Sequence, residues 1–227
     1  MVRWEEIDTV LLDMDGTLLD LHFDNLFWNE YLPRKWGEMN GLDFEAASAQ
    51  LLPRLRSREG TLSWYCLDYW SRELDMDIFA LKAGIEELIR TRPGAEDFLA
   101  HVRSLGKFMA LVTNAHQRLL QHKLALTGIA PHFDAIVSAH SFGLPKEEAL
   151  FWTKLQSRFA FDPGRTLLID DNAAVLRSAQ AFGVRWLYTI ARPDSRRPAR
   201  AGTEFPALES FQSLLSPERA KHRSQAG

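Results

Sequence analysis

Five short apolar runs punctuate the chain, at residues 9–12, 108–112, 135–138, 166–169 and 185–190. They are continuous rather than alternating. That is the pattern of parallel strands covered on both faces. Between them the apolar positions recur at helical spacing. Residues 116–126 carry Leu119, Leu120, Leu124 and Ala125. Residues 147–160 carry Leu150, Phe151 and Leu155, and residues 172–182 carry Ala173, Leu176 and Ala179. The alternation of strand and helix predicts an α/β fold. It is a doubly wound, Rossmann-like parallel sheet of about five strands.

Residues 21–90 interrupt that alternation. They contain no strand pattern and read as helices over 24–36, 43–58 and 61–74, with a further helix reaching about Ile89. Pro33 and Pro53 are expected to end or kink the helices that contain them. Thr61 is expected to cap a helix whose Leu62, Tyr65, Cys66 and Tyr69 share one face. Pro93 and Gly94 then mark the return to alternation. The expected organisation is a core made of 1–20 and 91–227, interrupted after its first strand by a helical cap over 21–90. The basic stretch "ARPDSRRPAR" at 191–200 reads as a surface loop, and the polar segment from about Ser216 as a frayed end.

Composition narrows the reading only at the margins. With 46% hydrophobic and 25% charged residues, the chain has the make-up of an ordinary globular protein. A net charge of -3 gives no reason to expect a nucleic-acid polymer as partner. No apolar run is long enough to span a bilayer. The opening "MVRWEEIDTV" lacks the apolar stretch of a signal peptide. The single cysteine, Cys66, has no internal disulfide partner, which suits a reducing compartment such as the cytoplasm. A monomer or homodimer acting on a small molecule is the expectation.

The chemistry sits where the strands stop. In a parallel α/β sheet, ligands bind beyond the carboxyl ends of the strands. Asp13 and Asp15 follow the first run, within "LLDMDGTLLD". Thr113 and Asn114 follow the second, and Lys146 lies beyond the third in "SFGLPKEE". Asp170 and Asp171 follow the fourth in "LLIDDN". Four carboxylates in one crevice repel each other unless some are protonated or a cation sits among them. A hard divalent ion fits their oxygens best, and Mg²⁺ is the expectation. Metal, lysine, hydroxyl and the helix beginning near Ala115 together suit a phosphoryl group. Gly16 allows the chain to turn closely past it. No G-x-x-x-x-G-K-[ST] loop is present, which excludes a P-loop site. Residues i and i+2 of an extended segment point to one side. Asp13 is therefore the candidate nucleophile on phosphorus. Asp15 is the candidate acid and base for the leaving oxygen and the hydrolytic water.

"DMDGT", Thr113, Lys146 and "DD" at 170–171 resemble, in order, the four motifs of the haloacid dehalogenase superfamily. The 21–90 segment is similar to that family's C1-type cap. "LLDMDGTLLDLHFDNLFW" and "WYCLDYW" resemble, more narrowly, bacterial purine 5′-nucleotidases acting on GMP and IMP. The resemblance implies Asp13 as nucleophile and Mg²⁺ ligand, with Asp15 as acid/base that also binds Mg²⁺ through its backbone carbonyl. It implies Thr113 and Lys146 as holders of the phosphoryl group, with Lys146 also orienting Asp13. Asp171 takes the place of the principal metal ligand of the fourth motif, assisted by Asp170. Many relatives carry a further acid a few residues on, where this chain has Ala173, Ala174 and Val175. The implied substrate is a small phosphate ester, foremost a purine nucleoside monophosphate. Sugar-phosphate and phosphoglycolate phosphatases are the alternatives, and a phosphoacceptor signalling domain is a further one.

The insert is rich in aromatics. Plain packing accounts for most of them, whereas Trp64, Tyr65 and Trp28 are the candidates to stack on a base, Trp64 first. Arg54, Arg56 and Arg58 read as a solvated face from which one could reach a purine carbonyl. His22 and His116 lie beside the motifs, but neither has a second ligand at helical metal spacing.

Overall fold

The computed structural model describes residues 2–215, and the polar segment from Ser216 lies outside them. The chain runs β1 (Thr9–Leu12), α1 (His22–Leu26), α2 (Leu32–Asn40), α3 (Phe44–Arg56), α4 (Leu62–Tyr65), α5 (Leu67–Leu74) and α6 (Ile78–Ala83). It continues α7 (Ala95–Ser104), β2 (Phe108–Thr113), α8 (Gln117–Thr127), β3 (Ala135–Ser138), α9 (Ala149–Arg158), β4 (Thr166–Ile169), α10 (Ala173–Phe182), β5 (Trp186–Ile190) and β6 (Ala207–Leu208). The strands form one parallel sheet in the order β3-β2-β1-β4-β5-β6. The connections run outward in both directions from β1, which makes its carboxyl end the switch point where a crevice opens.

The continuous apolar runs are explained by the two faces of this sheet. Val10, Leu12, Met109, Leu111, Leu167 and Ile169 join one buried cluster with Phe98, Leu99, Val102, Leu119 and Leu120 of α7 and α8. Leu11, Ala110, Val112 and Leu168 join the other, with Phe151, Trp152 and Leu155 of α9 and Val175, Leu176 and Ala179 of α10. Alternate residues face opposite layers, and both layers are apolar. The first cluster continues into the inserted helices through Phe23, Phe27, Leu51, Leu55 and Trp70.

Several local expectations are corrected. The sheet has six strands rather than five, because β6 is a two-residue edge pairing Thr189 with Ala207 and Ile190 with Leu208. So short a strand leaves no apolar run to read. Pro33 does not end its helix. The backbone stays helical through Tyr31 and Leu32, and Pro33 follows directly on a π-helical turn at Phe27–Tyr31, so the helix changes its hydrogen-bond pattern ahead of the proline instead of stopping. Pro53 stands in the last turn of α3, which continues to Arg56 with Leu51 and Leu55 buried on either side of the proline. The helix expected over 61–74 is two helices. Thr61 donates its hydroxyl to the Arg58 carbonyl (2.6 Å) instead of capping α4. Cys66 is extended (φ -88°, ψ 110°), and its Sγ accepts from the Tyr69 N–H (3.4 Å) to cap α5. The last expected helix ends at Ala83, and a single 3₁₀ turn (Glu86–Leu88) follows.

Candidate active site

The register of the sheet assembles the site. Leu12 pairs with Leu111 on one side and Ile169 on the other. The next residues, Asp13, Val112 and Asp170, therefore meet at one level of the rim. The Asp13 N–H extends the ladder to the Ile169 carbonyl (3.0 Å). Lys146 enters from the segment after β3. Its Nζ donates to Asp13 Oδ1 (2.5 Å), to Asp170 Oδ2 (2.7 Å) and to the Val112 carbonyl (2.9 Å). Lys146, Asp13 and Asp170 are all buried. One ammonium thus holds two acids from neighbouring strands.

Thr113 and Asn114 shape the loop that follows β2. Thr113 Oγ1 accepts from the Ala115 N–H (3.0 Å), and Asn114 Oδ1 accepts from the Lys146 N–H (2.9 Å). Gly16 has φ +81°, and a Cβ there would stand 2.7 Å from Asp171 Cγ. Only glycine meets both the backbone conformation and the close approach. Gly16 thus makes room for the Asp171 carboxyl.

Asp13, Asp170 and Asp171 each place an oxygen within 4.8 Å of the others. Burial lifts the Asp13 carboxyl to a pKa of about 7, with Lys146 opposing and Asp170 adding to the rise. Burial and the Asp13 charge lift Asp171 to about 7, and burial lifts Asp170 to about 6. For Lys146, burial disfavours the ammonium, but Asp13 and Asp170 outweigh it and raise its pKa. Three acids that resist ionising together, all offering hard oxygen donors, fit a divalent cation such as Mg²⁺. The carboxylate of Asp15 is not part of this set. It turns instead to Lys123 (2.6 Å).

Three features lie outside the sequence-level expectations, and a fourth narrows one of them to a single residue. Lys123 is buried on α8 and also donates to Asp24 Oδ2 (2.7 Å); buried Lys82 of α6 donates to Asp24 Oδ1 (2.7 Å). The signal for Lys123 was a lysine three and four residues from Leu120 and Leu119, on the buried face of an apolar helix. Glu147, next to Lys146, accepts from the Tyr65 hydroxyl (2.7 Å), Asn114 Nδ2 (2.8 Å) and Asn172 Nδ2 (3.1 Å). The basic stretch at 191–200 is not a plain surface loop. Asp194 is buried and accepts from Asn25 Nδ2 (2.7 Å), while Arg200 pairs with Asp171 (3.2 Å). The three arginines of α3 and its end divide. Arg54 pairs with Glu73 and Arg58 lies over the Tyr69 ring, whereas Arg56 lines the cavity.

That cavity measures about 620 Å³. Its floor is Asp13, Asp15, Thr113, Asn114, Lys146, Asp170 and Asp171. Its far wall is Trp28, Leu52, Leu55, Arg56, Trp64 and Tyr65 from the inserted helices, with Arg197 and Arg200 at the side. His22 is not on this wall and stands by Asp194 (3.6 Å). No helix among the described residues is long and apolar enough to cross a membrane.

Comparison with known proteins places this geometry in context. The profile of the haloacid dehalogenase-like hydrolases matches residues 7–183. The chain is 39% identical over 214 residues to the GMP/IMP nucleotidase YrfG of Escherichia coli (strain K12), spanning 94% of this chain and 96% of that one. It is 26% identical over 203 residues to a phosphoglycolate phosphatase of Vibrio vulnificus (strain CMCP6), spanning 83% and 88%. In structure it resembles a HAD phosphatase from Thermococcus onnurineus, with a TM-score of 0.76 at 20% identity. That likeness covers 92% of this chain and 96% of the other, and it speaks to the fold.

Proposed function

The chain belongs to the haloacid dehalogenase-like hydrolases, and from that premise we propose a Mg²⁺-dependent 5′-nucleotidase for purine monophosphates, acting through an aspartyl-phosphate on Asp13. The observation that carries this reading is the Lys146 ammonium shared by Asp13 and Asp170, on the floor of a 620 Å³ cavity walled by aromatics. The inserted helices act as the cap over that cavity.

Asp13, Asp170 and Asp171 would hold Mg²⁺, with the Asp15 backbone carbonyl completing the protein's share. Bound there, the ion supplies positive charge to the transferring phosphoryl oxygens. Lys146 orients the Asp13 carboxylate and adds a second positive charge. An Asp13 oxygen forms a bond to phosphorus as the bond to the 5′ oxygen breaks. Asp15 gives its proton to the departing alkoxide. Burial raises the pKa of Asp15 against the pull of Lys123, which suits it to carry that proton. Asp15 then takes a proton from water, whose oxygen attacks phosphorus and frees Asp13. Thr113 and the N–H groups ahead of α8 bind the phosphoryl oxygens. A closed cap excludes bulk water from the first step.

Substrate size and chemistry support a purine. Cavities of about 300–1,000 Å³ enclose ligands larger than a phosphorylated two-carbon acid. Trp64 and Trp28 offer faces for a base. Arg56 fits the paired acceptors O6 and N7 that GMP and IMP share, and AMP presents a donor at the first of these.

The test is phosphate release with Mg²⁺ and with EDTA, over GMP, IMP, AMP, UMP, phosphoglycolate and sugar phosphates, with Asp13→Asn as control. Release is expected to depend on Mg²⁺, to be greatest for GMP and IMP, and to fall at least about a hundredfold in the control. Greatest release from phosphoglycolate or a sugar phosphate would keep the chemistry and remove the purine. A stably phosphorylated, non-releasing chain would establish the phosphoacceptor alternative instead. Trp64→Ala is expected to weaken GMP by about 1–3 kcal/mol and to spare a sugar phosphate. Equal loss on both would return Trp64 to simple packing.

A further inference from the structure

Where the inserted helices meet the core, a second group of ligating side chains stands apart from the three acids. Cys66 comes from the extended break between α4 and α5. His116 comes from the N-terminus of α8, and His140 from the 3₁₀ turn (Ala139–Ser141) after β3. One ligating atom from each lies within 4.8 Å of the others. The two imidazoles meet edge to face, with centroids 5.0 Å apart at 78°. His140 Nε2 is buried and has no hydrogen-bond partner among the described residues. Asp68, in the first turn of α5, brings a carboxylate oxygen to 3.4 Å from His116 Nε2.

We propose that Cys66, His116 and His140 form a site for a thiophilic divalent cation, Zn²⁺ by chemistry, that joins the inserted helices to the core. The donor set decides the ion. One thiolate and two imidazoles suit Zn²⁺, whereas Mg²⁺ prefers the all-oxygen set of Asp13, Asp170 and Asp171. The charges fit as well. A thiolate leaves one positive charge on a divalent ion, and Asp68 stands beside it to offset that charge. At ion–ligand distances of about 2.0–2.3 Å, tetrahedral ligands stand roughly 3.3–3.7 Å from one another, inside the 4.8 Å that bounds these three atoms. The ion would bridge three separate stretches of chain. Trp64 and Tyr65, just before Cys66, line the cavity, as does His116. Fixing Cys66 to the two histidines therefore fixes the cap wall over the catalytic floor. Zn²⁺ at this position slows turnover by holding the cap shut. The cation site rests on its own ligands, whatever the substrate.

Co²⁺ reports on the site directly. Cys66 is the only cysteine in the chain, so a thiolate-to-cobalt charge-transfer band can arise nowhere else. The full chain is titrated with Co²⁺ in excess Mg²⁺, which occupies the oxygen site. The expected result is a charge-transfer band that saturates at one equivalent, with visible absorption of tetrahedral intensity, both reversed by Zn²⁺. Cys66→Ser removes the band, and His140→Gln weakens binding at least about tenfold. Serine retains a capping oxygen for α5, and Mg²⁺-dependent turnover in both variants shows that they are folded. In the wild type, one equivalent of Zn²⁺ lowers turnover under saturating Mg²⁺, and neither variant responds. Absence of the band overturns the site. A band unchanged in His140→Gln overturns it too, since the thiol alone would be binding. Turnover indifferent to Zn²⁺ despite the band overturns the clamp.

Discussion

Two buried charge clusters stand a few residues apart, and their difference shows what each is for. At the rim of the sheet, Lys146 faces Asp13, Asp170 and the neighbouring Asp171, with the half-exposed Arg200 touching only the last. Across the junction with the inserted helices, Lys123 and Lys82 face Asp15 and Asp24. The second group balances two acids against two ammonium ions. Lys123 and Lys82 together hold Asp24 well below the usual carboxylate range, against the cost of burial, while burial still raises Asp15 against the pull of Lys123. The first group is short of positive charge, and its three acids are lifted to about 6 or 7. A balanced cluster holds parts in place. An unbalanced one has room for a cation and for an anionic substrate brought by that cation.

The largest effect should come from Lys146. Lys146→Met removes the one buried cation between Asp13 and Asp170. The expected loss of stability at neutral pH without metal is about 3–5 kcal/mol, because two acids remain buried with no partner. Turnover should vanish with it. Denaturant midpoints measure the first and phosphate release the second. The loss should shrink at pH 5, where both acids hold protons. A stability change under about 1 kcal/mol at neutral pH would mean the acids are protonated at no cost, and the contrast with the second cluster would collapse.

Lys123→Met tests the balanced cluster. Asp24 keeps Lys82, but Asp15 loses its partner. The expected cost is smaller, about 2 kcal/mol, in line with one lost hydrogen bond to a charged group. The catalytic signature is separate from stability. Without Lys123 the Asp15 proton is held more tightly, so the pH profile of turnover should move to higher pH on the limb set by Asp15. A profile that stays in place while stability falls would leave Lys123 a purely structural role.

How much of this was legible in the sequence differs between the same two clusters. Asp13, Asp15, Thr113, Asp170 and Asp171 follow the ends of continuous apolar runs, and the parallel register brings Asp13 and Asp170 to one level, where Lys146 from beyond β3 meets both. Asp15 is the exception in its partner, since its carboxylate turns to a lysine on a distant helix. Lys123, Lys82 and Asp24 were missed because each sits on a separate helix, and helical periodicity does not say which face meets which neighbour. Glu147 was missed for a different reason. Next to Lys146 it reads as one more acid in "PKEE", and only Tyr65, Asn114 and Asn172 converging on it reveal its part. The helices of the insert were legible, but their ends were not. A proline at the first turn of α2 and a cysteine capping α5 defeat rules that hold for helix interiors and for hydroxyl caps. Strand β6 left no trace at all, being two residues on an edge.

The smallest effect discriminates most finely, since it separates a vacancy for a cation from mere crowding of acids. Without metal, the folded pKa values of Asp13 and Asp171 lie near 7 and that of Asp170 near 6, above the unfolded value of about 3.9. The folded chain then holds more protons than the unfolded chain between pH 4 and 7. Its stability therefore falls as pH rises through that window. Mg²⁺ must displace those protons, so its affinity should rise by about tenfold per pH unit for each proton released, and level off above pH 7. At a Mg²⁺ concentration of ten times the neutral-pH Kd, the expected stabilisation is about 1.4 kcal/mol at pH 7.5 and near zero at pH 5. Thermal melts at fixed Mg²⁺ across that range measure it. Affinity that does not change with pH would mean that the three acids are already ionised. Lys146 and Arg200 would then suffice for them, and the rim would be balanced after all.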